Sequence, residues 1–216
     1  MDFQYFLQHV PNLTKAVLPA MKAHVLMAPV ERIETLENPI NALKAPKTAA
    51  VLMLLYPKDK KTHLVLIVRN TYKGVHSAQV AFPGGKYEET DSDFAYTALR
   101  ETQEEVGVNP QEVELIKPFT PMYIPPSNFM VHPFLGLAKQ EIQFVPQPSE
   151  VSQIIELPLS VFLDESIVIT ARMSTSYNNE MLVPAFNIEN KVVWGATAMM
   201  LSELKEVLKS VFESKM

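Results

Sequence analysis

Runs of apolar residues, each about a strand in length, follow one another through the middle of the chain and surround one helical pattern. The predicted strands cover 48–56, 63–69, 78–82, 112–119 and 129–138. Between the third and the fourth, apolar residues recur at helical spacing over 93–106. Ser92 is placed to cap this helix at its start, and Gly107 to cap it at its end.

The C-terminal part of the chain mixes both kinds of element. Strands are predicted near 152–157, 167–171, 182–187 and 192–194, with a short helix starting at Pro158. A closing helix over 196–212 carries apolar residues at helical spacing, namely Met200, Leu201, Leu204, Val207, Leu208 and Val211. This stripe predicts that the helix packs on the core. Strands and helices in this mixture predict an α/β (α+β) fold.

The N-terminal residues 2–45 have a different pattern, in which helical segments are interrupted by four prolines. We expect residues 1–46 to form a helical appendage and residues 47–216 to form the main domain. The apolar side chains of the appendage would pack either on that domain or on a second subunit. In the second case the protein would be a homodimer.

Composition narrows the class of protein. With 216 residues and 47% apolar content, the chain can bury the core of one globular domain. A net charge of −5 and the lack of a Lys/Arg run argue against nucleic-acid binding, and no apolar segment approaches membrane-spanning length. Because the chain has no cysteine, disulfides and thiol catalysis are excluded, and we expect a cytoplasmic protein. The last three residues, 214–216, come near the peroxisomal tripeptide, a match that is usually accidental.

The predicted helix over 93–106 carries three carboxylates on one face. Glu101, Glu104 and Glu105 are spaced i, i+3 and i+4, and Arg100 lies one turn before Glu104, where it can orient that carboxylate. Clustered carboxylates repel one another unless a cation lies between them, and hard oxygen ligands favour Mg²⁺ or Mn²⁺. A solvated acidic face is the alternative interpretation. The glycine turn at 82–85, ahead of the helix, favours the metal site.

These residues resemble the signature of the Nudix hydrolases, G-x5-E-x7-R-E-U-x-E-E-x-G-U, where U is a bulky apolar residue. Counted from Gly85, five residues lead to Asp91 and eight more to Arg100, after which the chain reads RETQEEVGV. It departs from the signature by one inserted residue, by Asp91 in place of the first Glu, and by Thr102 at a usually apolar position.

An insertion with Asp is typical of one branch of that family, the coenzyme A pyrophosphatases. The segments 64–70, 76–85, 122–129, 132–134, 150–151, 157–160 and 194–198 are similar to stretches of this branch, so that the resemblance runs from about 49 to about 208. Two residues depart from it, because Ala78 stands at a usual Gly and Gly74 at a usual Arg.

The resemblance implies an α/β/α sandwich of mixed sheet with a metal-binding catalytic helix. It also implies a small-molecule substrate, coenzyme A or acyl-coenzyme A, cleaved at its pyrophosphate to 3′,5′-adenosine bisphosphate and (acyl-)phosphopantetheine. Two alternatives stay open. The substrate could be another nucleoside diphosphate derivative such as ADP-ribose or NADH, or the chain could be a silent nucleotide-binding module. Silent members lose the acidic pair, which this chain keeps.

Roles for single residues follow from the same resemblance. A backbone carbonyl of Gly84 or Gly85 would complete the metal site, and Glu104 or Glu150 would be the general base. Substrate contacts are expected from three basic side chains, Arg69, Lys73 and His76. Each has an ordinary alternative: an ion pair of Arg69 with Asp91 or Glu88, a solvated Lys73, and a structural His76.

Overall fold

The computed structural model describes residues 1–37, 45–70, 79–173 and 180–213. Its helices are α1 (Phe3–Leu7), α2 (Val10–Lys15), α3 (Met21–His24), α4 (Val30–Glu37), α5 (Phe94–Val106), α6 (Leu159–Leu163) and α7 (Gly195–Glu213). Its strands are β1 (Lys47–Lys58), β2 (Lys61–Arg69), β3 (Val80–Ala81), β4 (Gly84–Lys86), β5 (Val113–Pro118), β6 (Met122–Ile124), β7 (Phe129–Ala138), β8 (Val151–Pro158), β9 (Val168–Met173), β10 (Met181–Ile188) and β11 (Lys191–Val193).

Within this described part, eight strands form one mixed sheet and three form a smaller antiparallel one. The larger sheet has the order β3-β2-β1-β7-β5, with β4 paired to β1, β6 to β7 and β8 to β2. β1 and β7 run parallel, while β4 pairs antiparallel with β1, so that Gly84 lies opposite Val51. The smaller sheet has the order β11-β10-β9.

The central strand β1 is buried on both faces, which explains its nearly continuous apolar sequence. Leu52 and Leu54 pack in a core shared with α5, whereas Met53 and Leu55 pack in a second core shared with α7 and the N-terminal helices. The sheet therefore lies between two helical layers. The predicted α/β/α sandwich is confirmed.

The N-terminal helices pack on the main domain through a buried carboxylate of α7. Glu203 accepts hydrogen bonds from the Ala20 backbone N–H at 3.0 Å and from the Thr120 hydroxyl at 2.5 Å, and its Oε2 lies 3.4 Å from His24 Nε2. The Ser202 hydroxyl donates to the Ala23 carbonyl at 2.7 Å. The boundary at residue 46 stays a prediction, but these contacts show the segment bound to the same chain.

Two hairpins turn through residue pairs with left-handed backbone. Asp59 and Lys60, between β1 and β2, have φ of 49° and 61°, and Glu189 and Asn190, between β10 and β11, have φ of 48° and 61°. Two-residue turns of this kind match the twist of the strands they join. The loop predicted at 57–61 is thus shorter than expected.

The predicted elements differ from the observed ones in a few places. Helix α5 is capped by Asp93, whose side chain accepts from the Tyr96 N–H at 2.7 Å, so that the prediction of Ser92 was wrong by one residue. Gly107 ends the helix as predicted, with φ of 77°. The short strands β4 and β6 were not predicted. Among the helices of the described residues, none combines the length and apolar character that a membrane span requires.

Candidate active site

The glycine turn meets helix α5 at close range. A Cβ on Gly85 would lie 2.3 Å from the Glu101 carboxylate, and a Cβ on Gly84, whose φ is 150°, would lie 2.3 Å from the Ala50 carbonyl oxygen. No side chain fits at either place without movement. The turn and the acidic face of α5 therefore lie in direct contact.

Glu105 is the most buried of the three carboxylates on the acidic face of α5. Its side chain is 1% exposed, its Oε2 accepts a hydrogen bond of 2.8 Å from the Gly84 N–H, and its Oε1 has no hydrogen-bond partner among the described residues. Arg69 Nη1 lies 3.5 Å from that Oε1. Burial raises the pKa of Glu105 to about 7, although Gly84 and Arg69 oppose the shift.

Arg100 holds the other two acids of the helix. Its Nη1 donates to Glu101 and to Glu104, each at 3.1 Å. Its Nε and Nη2 donate to Asp91 at 2.8 and 3.0 Å, and Nη2 also donates to the Lys86 carbonyl at 3.1 Å. A guanidinium has five N–H donors, and these bonds use all of them. Arg100 is therefore a positioning residue that ties the acidic face to the loop before the helix.

Asp91 belongs to this network. Its carboxylate is also bonded by the Thr97 hydroxyl at 2.8 Å and by the Glu88 N–H at 3.0 Å. The bonds from Arg100 hold the pKa of Asp91 well below its usual range, against the effect of burial. The alternative in which Arg69 pairs with Asp91 or Glu88 was wrong, because Asp91 is bonded to Arg100 and the ion pair of Arg69 is with Glu105.

The three carboxylates lie on one face of α5 but differ in their exposure to solvent. The side chains of Glu105, Glu101 and Glu104 are 1%, 14% and 56% exposed. Burial also raises the pKa of Glu101, which Arg100 opposes. In residues 1–37, 45–70, 79–173 and 180–213, no three acidic or histidine side chains are close enough together to hold an ion. This follows from their bonds, since Glu101 and Glu104 are drawn to Arg100 and Glu105 to Gly84.

The donor chemistry nevertheless fits Mg²⁺ or Mn²⁺. The buried Glu105 Oε1 lacks a hydrogen bond within the described residues, which is unusual for a carboxylate unless an ion is bound. The adjacent groups, Glu101 and Glu104, offer the hard oxygens that these ions prefer. Metal binding by this set stays a prediction.

Glu150 lies on a turn next to the same acids. Its carbonyl accepts from the Asn70 N–H at 2.7 Å, and the Gln147 N–H of the same loop donates to the Glu105 carbonyl at 2.9 Å. Burial is the main cause that raises the pKa of Glu101, and Arg100 opposes it. The charges of Glu104 and Glu150 add to the increase. The loop thus places Glu150 at the site. Asn70 and Gln147 were not predicted as site residues from the sequence, where the prolines at 146 and 148 indicate only a loop before Glu150.

Two predicted substrate contacts, Lys73 and His76, lie outside the described residues, as do Gly74 and Ala78. The structure brings together the remaining predicted residues of the site. These are Arg69, Gly84, Gly85, Arg100, Glu101, Glu104, Glu105 and Glu150.

Thr102, which departs from the apolar position of the signature, is accommodated within α5. It is 1% exposed, and its hydroxyl donates to the Ala98 carbonyl one turn earlier at 2.6 Å. Because this bond satisfies the hydroxyl, the residue can be buried like an apolar one.

A family model described as NUDIX domain matches residues 46–172. The mitochondrial Nudix hydrolase 15 of Arabidopsis thaliana is 33% identical over 159 residues, 71% of this chain and 55% of that protein. The peroxisomal coenzyme A diphosphatase NUDT7 of Mus musculus is 33% identical over 127 residues, 59% of this chain and 53% of that protein. This chain spans about half the length of these two relatives.

Among solved structures, the Nudix hydrolase RenU of M. smegmatis is similar, with a TM-score of 0.54 at 14% identity over 76% of this chain and 87% of that one. At this identity the likeness concerns the fold. The family match covers more than half of the chain and includes the glycine turn, helix α5 and Glu150. This chain therefore belongs to the Nudix family.

Proposed function

We propose that this chain is a divalent-metal-dependent hydrolase of phosphoric anhydrides and that its substrate is coenzyme A or an acyl-coenzyme A. The products would be 3′,5′-adenosine bisphosphate and (acyl-)phosphopantetheine. The observation that carries the proposal is the buried carboxylate of Glu105, whose Oε2 accepts from the Gly84 N–H and whose Oε1, 3.5 Å from Arg69 Nη1, lacks a hydrogen bond in the described residues. A buried carboxylate of this kind is costly in a structural role and useful in a cation site.

Glu101, Glu104 and Glu105 would hold the ion, together with a backbone carbonyl of Gly84 or Gly85. When bound, a divalent cation at this place neutralises phosphate charge and makes water a stronger nucleophile at neutral pH. The chain's own groups then set the geometry. Glycine lets the backbone reach a phosphate without a Cβ in the way.

Each neighbouring side chain has a separate task in this proposal. Arg100 orients Glu101 and Glu104 through Nη1. Arg69, 28% exposed at the end of β2, is placed to bind a substrate phosphate. Glu150 or Glu104 would accept the proton of the attacking water, because both are exposed carboxylates at the site.

Two observations favour coenzyme A over other substrates. The segments 76–85 and 194–198 resemble those of the coenzyme A pyrophosphatase branch, and one relative bears the name coenzyme A diphosphatase. A different nucleoside diphosphate substrate is the second candidate, since other relatives of equal identity are named only as Nudix hydrolases.

The experiment is a substrate panel with the purified chain in Mg²⁺ or Mn²⁺, comprising coenzyme A, acetyl-coenzyme A, ADP-ribose, NADH and nucleoside triphosphates. Products are identified by mass spectrometry, and Glu105→Gln is the matched control for contaminating activity. Release of 3′,5′-adenosine bisphosphate by the wild type alone is the expected result. Preference for ADP-ribose or NADH would reject coenzyme A but keep the reaction class. No turnover of any substrate would reject both.

A further inference from the structure

Burial of the Glu105 carboxylate costs free energy, and its hydrogen bonds do not offset this cost. One bond from Gly84 serves Oε2, and Oε1 receives none from the described residues. Removing an ionised carboxylate from water costs several kcal/mol unless a charge or several donors replace the water. Among the described residues, the cation within ion-pair distance of this carboxylate is the Arg69 guanidinium, with Nη1 3.5 Å from Oε1.

The two arginines of the site differ in how many of their N–H groups are already bonded. Arg100 donates all five N–H groups to Asp91, Glu101, Glu104 and a backbone carbonyl, and thus has none to spare. Among the described residues, Arg69 makes one long ion pair of 3.5 Å, to Glu105, and its side chain is far more exposed than that of its partner, at 28% against 1%. Of the two guanidinium groups, that of Arg69 is therefore the one that can move away from its carboxylate partner, Glu105.

The backbone of Arg69 is fixed even though its side chain reaches the solvent. Its N–H donates to the Gln79 carbonyl at 3.0 Å, and it pairs with Val151 just after a register shift between β2 and β8. Irregularities of this kind at a strand end re-aim a side chain. A movement of the Arg69 guanidinium is thus a rotamer change about a fixed Cα.

We propose that Arg69 is a stand-in cation, which neutralises Glu105 in the metal-free protein and gives up this carboxylate when a divalent ion binds. The inference rests on the proposed metal dependence and adds the exchange between the two cations. Both require the same oxygen, Oε1, and their charges repel. Once displaced, the guanidinium is available to an anionic phosphate near the end of β2.

The exchange couples metal and substrate. Because Arg69 competes with the ion for Glu105, its presence weakens metal binding while no substrate is bound. A phosphate that binds Arg69 removes the competitor and strengthens metal binding, and by linkage the metal strengthens phosphate binding to the same extent. A fixed phosphate-binding arginine without contact to Glu105 would produce no such competition.

The test is direct Mn²⁺ binding without substrate, measured from the electron paramagnetic resonance signal of the free ion. Wild type, Arg69→Met and Lys86→Met are compared at pH 8.5 under argon, above the pKa of about 7 of Glu105, so that protons compete little. Lys86 is exposed and lies next to Gly85 in β4, and it thus controls for the general loss of one positive charge. Circular dichroism confirms that each variant is folded.

We expect Arg69→Met to bind Mn²⁺ about 10-fold more tightly than wild type, within the usual range of coupling between two sites. Lys86→Met should differ by less than about 2-fold, since exposed charges are screened. Unchanged or weaker binding in Arg69→Met would overturn the inference, as would an equal gain in Lys86→Met.

A second readout follows the guanidinium itself. The ¹⁵Nε resonance of Arg69, assigned by its loss in Arg69→Met, should shift when Mg²⁺ is added to wild type and should stay in place in Glu105→Gln. If wild type binds no Mn²⁺, the proposed function fails together with the exchange. If wild type binds Mn²⁺ and hydrolyses its substrate while the Arg69 resonance does not move, only the exchange fails.

Discussion

Gly84 and Glu105, 21 positions apart in the chain, are joined by a hydrogen bond of 2.8 Å from the glycine N–H to the buried carboxylate. This bond ties the turn of β4 to the last turn of α5. It also fixes the orientation of the one helix carboxylate that Arg100 does not hold. The properties of Glu105 are therefore the most direct test of the site.

Glu105→Gln should abolish hydrolysis and yet stabilise the metal-free protein at alkaline pH. Even groups that only support a metal ligand contribute about 10–100-fold to activity, and we expect a loss of roughly 100-fold or more here. The folded-state pKa of about 7 lies above the unfolded value of about 4.3, so that wild type loses stability as pH rises from about 4.3 through 7.

The glutamine variant cannot ionise and should not show this loss. Melting temperatures in EDTA at pH 5 and pH 8 provide the measurement. The variant should gain relative to wild type at pH 8. Equal pH dependence in both proteins would contradict the pKa of Glu105.

Alanine at the two glycines should separate stability from activity. At Gly84 a Cβ would meet the backbone of Ala50 and Val51, which cannot move aside, and the φ of 150° is unfavourable for alanine. We expect Gly84→Ala to lower the free energy of unfolding by about 2–4 kcal/mol. At Gly85 the Cβ would meet the end of the Glu101 side chain, which can move.

Gly85→Ala should thus cost less than about 1 kcal/mol of stability while displacing the Glu101 carboxylate and reducing the hydrolysis rate. Urea denaturation and initial rates measured on the same preparations test the pair. Equal losses of stability at both positions would contradict this expectation. They would show that Gly85 is required by the backbone of the turn and not by its contact with Glu101.

Asp91→Asn should destabilise the fold near neutral pH and less so in acid. Removing one partner of a buried ion pair costs about 3 kcal/mol. Arg100 holds the pKa of Asp91 below its usual range, so that the contribution to stability is complete above about pH 4 and is lost as pH falls toward the folded-state pKa.

Urea denaturation at pH 7 and pH 3 should therefore show a difference from wild type that narrows in acid. Glu88→Gln is the control, because its side chain is exposed and its hydrogen bonds with Asp91 are made by its backbone N–H and carbonyl. A difference that does not change with pH would contradict the charged role of Asp91.

Glu150→Gln should reduce the rate of hydrolysis without weakening metal binding. Glu104 is bonded to Arg100, which leaves Glu150 as the freer carboxylate for accepting a proton. General-base catalysis is worth about 100-fold or more, so that a loss of this size in kcat is expected. Mn²⁺ affinity should change in Glu104→Gln instead. If instead Glu104→Gln lowered kcat and Glu150→Gln changed the Mn²⁺ affinity, Glu104 would be the general base.

Glu203→Gln should loosen the N-terminal segment while sparing the active site. Burial opposes ionisation of Glu203, but the bonds from His24 and Thr120 outweigh it and hold its pKa below the usual value. Replacing this carboxylate should cost about 1–3 kcal/mol. Trypsin should then cleave faster after Lys15 and Lys22, both exposed, as mass spectrometry can detect. Unchanged cleavage would mean that Glu203 does not hold the segment.

Local spacing was sufficient to predict α5, its glycine C-cap and the face shared by its three acids. Those features depend on residues within a few positions of one another. The N-cap was predicted one residue early, because Ser92 and Asp93 are both good caps and only the backbone decides between them.

The partner of Arg69 could not be predicted in this way. Its pairing with Glu105 depends on how β2 meets β8 and α5, a long-range arrangement with a register shift at Arg69 itself. The strand β4 escaped prediction because two of its three residues are glycine, which disfavours strands, and its pairing with β1 supplies the stabilisation.

The two hairpin turns are positions where substitutions can raise the stability of the protein. Lys60 and Asn190 hold left-handed backbone that glycine adopts without strain, and turns of this type favour Asn-Gly over the pairs present. Both turns lie outside the site, since Arg69 stands at the end of β2 that is opposite Lys60. Thermostable variants for crystallisation are therefore best sought at Lys60 and Asn190, where a gain in melting temperature would not come at the expense of turnover.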